Sequence, residues 1–247
     1  MSGDKAALRA VDLGQRFGGR TIYQHVSFAV AFQEVFVILG GSGSGKSTLL
    51  RQIIGLLPPS EGRVELLGRD VYAGGSDVLS RIGVMFQSGA LFGSMTLLEN
   101  VMLPLEMHTS LPHEARAQVA RVKLGLVGLA DAATLLPSEV SGGMVKRAAI
   151  ARALALDPPL LFLDEPSAGL DPATSAGLDR LILDLRQELG ATFVVVTHEL
   201  GSILTIGDRC IMIDAAARGI IAEGEPRRLR EESDNPTVRR FFRREAA

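Results

Sequence analysis

Eight consecutive residues of the chain have types and spacing suited to binding an anion. They are Gly40, Gly41, Ser42, Gly43, Ser44, Gly45, Lys46 and Ser47, and they fit the pattern G-x-x-x-x-G-K-[ST]. Glycines leave backbone N–H groups uncovered, so several of these groups can converge on phosphate oxygens. A helix that opens at Ser47 and Thr48 would add its own N–H groups and the positive end of its dipole. Lys46 would then reach the β- and γ-phosphates of a nucleotide, and the Ser47 hydroxyl would take a Mg²⁺ position.

Two carboxylates follow the apolar segment Leu160–Leu163, namely Asp164 and Glu165. In open α/β sheets ligands bind at the carboxyl ends of the strands, so we expect this pair to lie near the phosphate loop. Asp164 is placed to hold Mg²⁺, directly or through water, and Glu165 to orient or deprotonate an attacking water. Taken alone, the pair could also be a polar strand end that meets solvent.

These groups need a sheet to bring them together, and the apolar segments of the chain predict one. Four segments of four or five residues are apolar without alternating, which is typical of strands buried on both faces. They are Val35–Leu39, Leu160–Leu163, Phe193–Val196 and Cys210–Ile213. Helix-like segments lie between them, at Thr48–Leu56, Ser141–Leu156 and Thr174–Leu189. This order predicts an α/β fold with a mostly parallel sheet and helices packed on it.

Other parts of the chain have different patterns. In the first 75 residues, segments such as Val26–Val30 and Arg63–Leu67 alternate between turn residues, which predicts an antiparallel β region. From about Ser88 to Pro159 the pattern is mostly helical and predicts an inserted helical subdomain. Breaks in this subdomain are predicted at Pro104, Pro112, Gly125 and Pro137.

We therefore predict one domain over residues 1–247. Residues 1–87 and 160–225 would form the β subdomain and the nucleotide-binding core, and 88–159 the helical subdomain. Residues 226–247 would form a basic, peripheral extension, since they contain seven arginines and four acids.

The composition excludes several classes of protein. Hydrophobic residues make up 47% of the 247, which is ample for a core and too many for a largely disordered chain. The formal net charge of -2 argues against a nucleic-acid partner held by overall charge. The single cysteine, Cys210, excludes a disulfide framework and is interpreted as a small core hydrophobe. Ile82–Leu98, the longest segment without charged residues, is too short and polar to span a membrane, and residues 1–10 lack the apolar part of a signal peptide.

A further set of motifs occurs in order along the chain. Val140–Met144 reads Val-Ser-Gly-Gly-Met and resembles the LSGGQ signature of ABC transporter ATPases. Other landmarks of that family are matched by Gln87 for the Q-loop, Ser167–Asp171 for the D-loop, His198 for the switch histidine and Phe17 for the adenine-stacking aromatic. The resemblance covers nearly the whole chain. It implies a P-loop NTPase (RecA-like) core with an N-terminal antiparallel β subdomain and an inserted helical subdomain.

The signature itself is a second place where a helix start can bind an anion. Its serine is of an N-cap type, and the two glycines after it leave backbone amides open. In the family, the signature of one subunit closes on the ATP held by another, so the resemblance implies a homodimer that hydrolyses ATP. The residues it implies to act in trans are Ser141, Gly142, Gly143, Met144 and Asp171.

Within one subunit the resemblance implies ATP and Mg²⁺ as cofactors. It assigns water activation to Glu165, and it places His198 beside the γ-phosphate, where this histidine and Lys46 would stabilise charge. The Mg²⁺ ligands that it implies are Ser47, Gln87 and Asp164.

Departures from the family pattern indicate a branch. Met144 replaces the usual Gln, so any hydrogen bond from that side chain is lost, and Glu199 stands where Asp is common. The Ser-Gly-Gly-Met signature and the segment Phe86–Phe92 together resemble the ATPase subunits of Mla/Mce-type lipid transporters. In that branch the ATPase works at the cytoplasmic face of a bacterial inner membrane. It pairs with a multispanning permease and an MCE-domain protein that carries phospholipid between the inner and outer membranes.

Two rival functions share much of this pattern. An importer ATPase for a polar solute, such as an amino acid, has the same catalytic motifs and would be identified by a solute-binding protein among its partners. A soluble ABC protein of translation or DNA repair usually carries two cassettes or long coiled-coil insertions, and neither occurs in these 247 residues.

Three features keep more than one interpretation. Phe17 could stack on adenine or be an ordinary surface or packing aromatic. Ala90–Phe92 and Met95 could line a groove that receives the permease or form subdomain core. The arginine-rich tail could be a solvated surface, contact anionic lipid headgroups, or dock on the partner ATPase with Phe241–Phe242 as its apolar anchor.

Overall fold

The computed structural model describes residues 6–73 and 77–243. The predictions made for residues 1–10 and 226–247 therefore lie in part outside the described residues, at 1–5 and 244–247. The chain divides into two compact units. The first consists of Met1–Leu79 with Thr192–Ala247, and the second is Ser80–Ala191.

Strands and helices alternate along most of the described chain. The strands are β1 Ala6–Phe17, β2 Arg20–Ala31, β3 Val35–Gly40, β4 Glu61–Leu66, β5 Arg69–Asp70, β6 Ile82–Met85, β7 Leu160–Asp164, β8 Thr192–Val196, β9 Arg209–Asp214 and β10 Gly219–Gly224. The helices are α1 Lys46–Ile53, α2 Leu97–His108, α3 His113–Leu126, α4 Gly142–Ala153, α5 Pro172–Leu189, α6 Leu200–Ile206, α7 Pro226–Glu232 and α8 Pro236–Arg243. Short 3-10 turns occur at Leu79–Arg81, Ala130–Ala132 and Pro137–Glu139.

The first unit contains an antiparallel sheet with the strand order β2-β1-β4-β5. β1 and β2 form a hairpin in which Phe17 pairs with Arg20, so its turn is Gly18-Gly19. Both glycines have positive φ, as a two-residue hairpin turn of this kind requires. The alternating segments Val26–Val30 and Arg63–Leu67 lie in β2 and at β4, which confirms the predicted antiparallel region.

The same unit contains the parallel strands that the apolar segments predict. β3 pairs in parallel with β8 on one side and β9 on the other, and β10 pairs antiparallel to β9. All residues of β3 and β8 are buried, as their unbroken apolar sequences lead one to expect. In the second unit β6 and β7 are also parallel. The prediction of an α/β fold with a mostly parallel sheet core is confirmed.

Helix α8, the last described element, packs into the core of the first unit. Val238 and Phe242 of α8 are buried in a cluster with apolar residues of β3, α6 and β9. Their spacing of four places both on one face of the helix, while Arg239 and Arg240 are exposed on the other. The interpretation of 226–247 as peripheral is therefore wrong for α8, and Phe242, which is 5% exposed, is core rather than an apolar anchor for a partner.

Two of the predicted breaks in the helical part of the second unit lie inside helices. Gly125 is in the last turn of α3, which ends one residue later at Leu126. Pro104 lies inside α2 and does not break it. The helix begins with a capping box, in which the Thr96 hydroxyl accepts the Glu99 N–H and the Glu99 carboxylate accepts the Thr96 N–H. Five buried residues of α2 also hold it in place, so the hydrogen bond lost at proline is tolerated.

α4 approaches β6 closely in the second unit. A Cβ atom on Gly83 of β6 would lie 2.3 Å from the carbonyl oxygen of Ala153, the last residue of α4. Only glycine allows this approach, which places α4 directly over the strand. No helix among the described residues is both long and apolar enough to cross a membrane.

Candidate nucleotide site

The phosphate loop lies in the first unit, between the end of β3 and the start of α1. A Cβ atom on Gly40 would lie 2.3 Å from the carbonyl oxygen of Ile213, so this position admits no side chain. Gly43 and Gly45 have φ of 74° and 98°, which other residues rarely adopt. A Cβ atom on Gly41 would have no atom within 4 Å, so the backbone there is open to a ligand. Glycine is thus required for a different reason at each position. Gly40 has no room for a side chain, Gly43 and Gly45 have a left-handed backbone, and Gly41 leaves the backbone accessible.

The polar groups of the loop suit a polyphosphate. The Lys46 ammonium donates to the carbonyl oxygens of Gly40 and Gly41 at 2.9 and 3.0 Å, which lays the cation across the loop. Ser47 is exposed in the first turn of α1, and that turn contains no acidic residue. The Ser44 hydroxyl is buried and has no hydrogen-bond partner among the described residues. Backbone amides at a helix start, a lysine and hydroxyls together form a site for anionic oxygens. Ser42 is also exposed, and Thr48 is half-buried.

Phe17 is the last residue of β1 and also belongs to the first unit. Its side chain is 48% exposed, which leaves an aromatic surface available for stacking. The strand end is fixed nearby, because the Arg16 N–H donates to the Ser60 hydroxyl at 3.1 Å and the Arg16 guanidinium pairs with Glu61 at 2.8 Å. This exposure is compatible with a surface aromatic as well as with stacking, so the role of Phe17 toward adenine stays a prediction.

His198 follows β8 after one buried residue, Thr197. The Thr197 N–H donates to the carbonyl oxygen of Ile38 at 3.3 Å, and its hydroxyl accepts the Glu199 N–H at 3.1 Å. These bonds fix the backbone on both sides of the histidine, while the imidazole is largely exposed, 3.9 Å from the Glu199 carboxylate. The first unit therefore contains Phe17, the phosphate loop and His198.

The two carboxylates after β7 lie in the second unit. Asp164 is half-buried, and Glu165 is 9% exposed. Glu165 has φ of 45°, which is uncommon for a residue with a side chain. Its carbonyl oxygen accepts the Ala168 N–H at 3.2 Å and the Lys146 ammonium at 3.3 Å. A non-glycine residue held in this conformation by its surroundings is typical of a functional position.

The signature opens α4 in the second unit, as its residue types predict. Ser141 is the N-cap, and its hydroxyl accepts the Met144 N–H at 3.3 Å. Ser141 and Gly142 are exposed, whereas Gly143 is buried and a Cβ atom on it would lie 2.5 Å from the Thr174 methyl group. Met144 is half-buried. The start of α4 therefore presents an uncovered backbone to solvent.

Asp171 caps α5 in the same unit. Its carboxylate accepts the N–H groups of Ala173 and Thr174 at 3.0 Å each and the Thr174 hydroxyl at 2.5 Å. Hydrogen bonds from Thr174, first from its hydroxyl, hold the pKa of the Asp171 carboxyl below its usual value. Asp171 thus has a structural role as the cap of α5, which sequence reasoning did not assign to it. Thr174, which bonds to this cap, also lies next to Gly143 of the signature.

Gln87 is exposed just after β6, and the turn that follows it is held by α4. The Gly89 N–H donates to the carbonyl oxygen of Phe86 at 2.7 Å. The Arg152 guanidinium donates to the carbonyl oxygens of Gly89 and Ala90 at 2.8 and 2.7 Å, and the Lys146 ammonium donates to that of Gln87. Sequence reasoning missed the roles of Lys146 and Arg152, because every residue has a backbone carbonyl and the sequence does not indicate which one a side chain will contact.

The segment after this turn is shaped by Asn100, which is fully buried in α2. Its side-chain amide donates to the carbonyl oxygens of Phe92, Met95 and Thr96 at 3.0–3.1 Å, and its carbonyl accepts the Phe92 N–H at 2.8 Å. Phe92 is 58% exposed, so it is not subdomain core. Sequence reasoning also missed Asn100, whose only signal is a polar residue within a buried helix face.

Comparison with known proteins identifies the family. The family described as ABC transporter matches residues 23–168, which is more than half of the chain. The chain is 42% identical over 229 residues to the intermembrane phospholipid transport system ATP-binding protein MlaF of Escherichia coli K12, covering 91% of this chain and 84% of that protein. It is 40% identical over 234 residues to the probable ribonucleotide transport ATP-binding protein mkl of Mycobacterium tuberculosis H37Rv, covering 93% of this chain but only 64% of mkl.

Solved structures agree with this result. The structure of cbiO1 from Clostridium perfringens, part of the ABC transporter complex cbiONQ, superposes with a TM-score of 0.84 at 27% identity, covering 92% of each chain. The dimeric ATP-binding cassette MJ0796, in a post-hydrolysis state bound to ADP and Pi, gives a TM-score of 0.78 at 32% identity and covers 88% of this chain and 98% of that one. The fold is that of an ABC ATPase cassette, and the chain belongs to the ABC transporter family.

Proposed function

We propose that this chain is the ATP-hydrolysing subunit of a bacterial inner-membrane transporter that moves phospholipid between the inner and outer membranes. The observation that carries the proposal is the 42% identity to MlaF of Escherichia coli, which extends through 84% of that protein. The 41% identity to MlaF of Haemophilus influenzae over 221 residues supports it.

The proposed chemistry assigns a role to each motif. The loop Gly40–Thr48 binds the phosphates of ATP through backbone amides and Lys46, and Phe17 stacks on adenine. Glu165 orients or deprotonates the attacking water. His198 and Lys46 stabilise the charge that develops on the phosphoryl group.

The proposed Mg²⁺ ligands are Ser47, Gln87 and Asp164. A hydroxyl, an amide carbonyl and a carboxylate are oxygen ligands of the kind that Mg²⁺ prefers, usually together with phosphates of the substrate. When bound, Mg²⁺ would withdraw charge from the β- and γ-phosphate oxygens. The exposure of Ser47 and Gln87 supports the assignment, since both side chains are accessible to a nucleotide complex.

A second copy of the chain is the proposed partner in hydrolysis. Ser141–Met144 and Asp171 would act on the nucleotide of the partner copy, and the exposed start of α4 supports this assignment. Met144 has no hydrogen-bonding amide in its side chain, so the contact would rest on Ser141 and the backbone. The dimer of the cassette MJ0796 with ADP and Pi is consistent with the arrangement.

The transport proposal adds a multispanning permease and an MCE-domain lipid-binding protein as partners, with the chain on the cytoplasmic face of the membrane. The exposed Phe92, at the end of the turn held by Arg152 and Lys146, supports a permease contact in this region. A transporter of a polar solute is the second candidate, because mkl is named as a probable ribonucleotide transport protein and is 40% identical.

Co-purification tests the proposal. The full-length chain is tagged, the membranes are solubilised gently, and the proteins and lipids that remain bound are identified by mass spectrometry. We expect a multispanning permease, an MCE-domain protein and phospholipid. A permease recovered with a solute-binding protein and without lipid would replace the lipid assignment with the polar-solute one. Recovery of no integral membrane protein would contradict the transporter role.

A further inference from the structure

The register of β6 and β7 places two proposed functional residues at the same level. Met85 of β6 pairs with Leu163 of β7 in the parallel ladder. Gln87 and Glu165 each follow that pair by two residues. Their backbone carbonyls therefore leave adjacent strands at the same edge of the second unit, beyond the last pair of the ladder.

One buried ammonium spans the two carbonyls. Lys146, in the second turn of α4, is 7% exposed, and its Nζ atom donates to the carbonyl oxygens of Gln87 and Glu165, the latter at 3.3 Å. Burial lowers the pKa of Lys146, while the charges of Asp164 and Glu165 act in the opposite direction. Burial of an ammonium costs free energy unless the group is hydrogen-bonded. The two carbonyl acceptors therefore offset much of the cost of burying the Lys146 charge.

The rest of α4 reinforces the same connection. Arg152 donates to the carbonyl oxygens of Gly89 and Ala90, and a Cβ atom on Gly89 would lie 3.1 Å from a methyl group of Val145. The turn after Gln87 is thus fixed to α4 at several points. Of these three α4 residues, Lys146, Arg152 and Val145, Lys146 is the one that also donates to the Glu165 carbonyl oxygen.

We infer that Lys146 is a positioning residue for ATP hydrolysis, which holds the backbone of Glu165 at a fixed distance from that of Gln87. This inference rests on the proposed function, in which Glu165 activates water and Gln87 contacts Mg²⁺. The Glu165 carbonyl oxygen accepts both the Ala168 N–H and the Lys146 ammonium, and these two bonds hold the left-handed backbone of Glu165. Loss of the Lys146 bond would leave one of the two, so the backbone would be freer to relax and to turn the carboxylate away. Because Lys146 acts on the backbone of Glu165 in this inference, its loss should lower the rate of hydrolysis rather than the affinity for ATP.

The substitution Lys146→Met tests the inference in the full-length chain as it purifies from membranes. Methionine has a similar length but no N–H donor, so the two carbonyls lose their common partner. We expect kcat for ATP hydrolysis to fall about 10- to 100-fold, as misplacement of a reacting group by about 1 Å does, with KM for ATP within about twofold of wild type. Lys146→Gln, which is polar but too short to span both acceptors, replaces the Met variant if that does not fold.

Lys123→Met is a matched control from the same unit. Lys123 is also a buried lysine, 6% exposed, and pairs with Asp157 at 2.5 Å. Its loss should lower the melting temperature as much as the loss of Lys146 does, yet leave kcat unchanged. An equal fall of kcat in both variants would reduce the role of Lys146 to general stability and overturn the inference.

Combination with Glu165→Gln separates positioning from other effects. If Lys146 acts through the Glu165 carboxylate, Lys146→Met should not lower further the residual single-turnover rate of Glu165→Gln. Independent, multiplying losses would overturn the inference, as would a Lys146→Met variant with wild-type kcat. A wild-type chain that does not hydrolyse ATP would overturn the proposed function, and the inference with it.

Discussion

Gly40 and His198 lie at the same level, each two residues beyond the paired Ile38 and Val196 of the parallel strands β3 and β8. The Thr197 N–H, which donates to the Ile38 carbonyl oxygen, extends the ladder to the residue before the histidine. The carboxyl ends of parallel strands form the edge where ligands bind in α/β folds. The imidazole and the start of the phosphate loop therefore share this edge of the first unit.

The first prediction concerns this imidazole. His198→Ala should lower kcat for ATP hydrolysis about 100-fold while KM for ATP changes little, because it removes the donor that is proposed to stabilise the developing charge. Steady-state phosphate release measures both parameters. His113→Ala, at the exposed start of α3, should leave them unchanged. Wild-type kcat in His198→Ala would show that the imidazole takes no part in the chemistry.

The second prediction concerns the proposed base. Glu165→Gln keeps the size of the side chain but removes the carboxylate that would accept a proton, so hydrolysis should fall by about 100-fold or more. ATP binding should remain, and the ATP-bound dimer should persist in size-exclusion chromatography if hydrolysis is the step that reopens the proposed dimer. Glu188→Gln, on the exposed side of α5, is the control. Turnover at the wild-type rate in Glu165→Gln would assign the base elsewhere.

The third prediction separates two uses of glycine in the phosphate loop. Gly40→Ala introduces a Cβ atom 2.3 Å from the Ile213 carbonyl oxygen, so the free energy of unfolding should fall by about 1–3 kcal/mol. Gly41→Ala meets no atom within 4 Å and should keep its stability, although ATP should bind more weakly. Urea unfolding and nucleotide titration measure the two effects. Equal stability of the two variants would contradict the crowding at Gly40.

The elements and motifs that repeat a local pattern could be predicted from the sequence. Val35–Leu39 is an unbroken apolar segment and forms β3, and the loop after it has glycines where the backbone is crowded or left-handed. Ser141 is an N-cap by residue type and by structure. In each case the residues that decide the structure are neighbours in the chain.

Features that depend on distant residues could not be predicted. Lys146 bonds to the Gln87 carbonyl, 59 residues earlier, and a backbone acceptor carries no residue type. The sequence around Phe242 is rich in arginine and predicts an exposed tail, because the β3, α6 and β9 residues that bury this side chain are distant in the chain. Pro104 has the signal of a helix break, and tertiary packing of α2 overrides it.

The fourth prediction concerns Phe17, which is 48% exposed. The chain has no tryptophan, so Phe17→Trp introduces a single one that can be excited apart from the two tyrosines, and its emission should change when ATP stacks on it. Phe17→Ala should weaken ATP binding by about 0.5–1.5 kcal/mol, the usual value of an aromatic pair. Phe32→Trp, which is also exposed, should not respond, and Lys46→Ala should abolish the response of Phe17→Trp. An ATP affinity unchanged in Phe17→Ala would leave Phe17 as a surface aromatic.

The fifth prediction follows from the burial of Cys210. Burial, and to a lesser extent the charge of Glu223, raises the pKa of its thiol from 9.0 to about 12, and Arg209 opposes this shift. The folded chain therefore keeps the thiol proton when the unfolded chain has released it. The contribution of this thiol to the free energy of unfolding is constant below pH 9, and it should fall between pH 9 and about 12 by about 1.4 kcal/mol per pH unit.

Urea unfolding at pH 8 and pH 10.5 measures this loss by comparison with Cys210→Ala, which lacks the titrating group. The wild type should lose more stability than the variant over that interval, and its thiol should react with iodoacetamide at pH 8 only after unfolding. The Sγ–H group is buried in the first unit and donates to the Gly224 carbonyl oxygen at 3.4 Å. Both iodoacetamide and hydroxide therefore need β9 and β10 to open before they can reach the thiol. Rapid alkylation of the native chain would mean that β9 and β10 open locally far more readily than their burial implies.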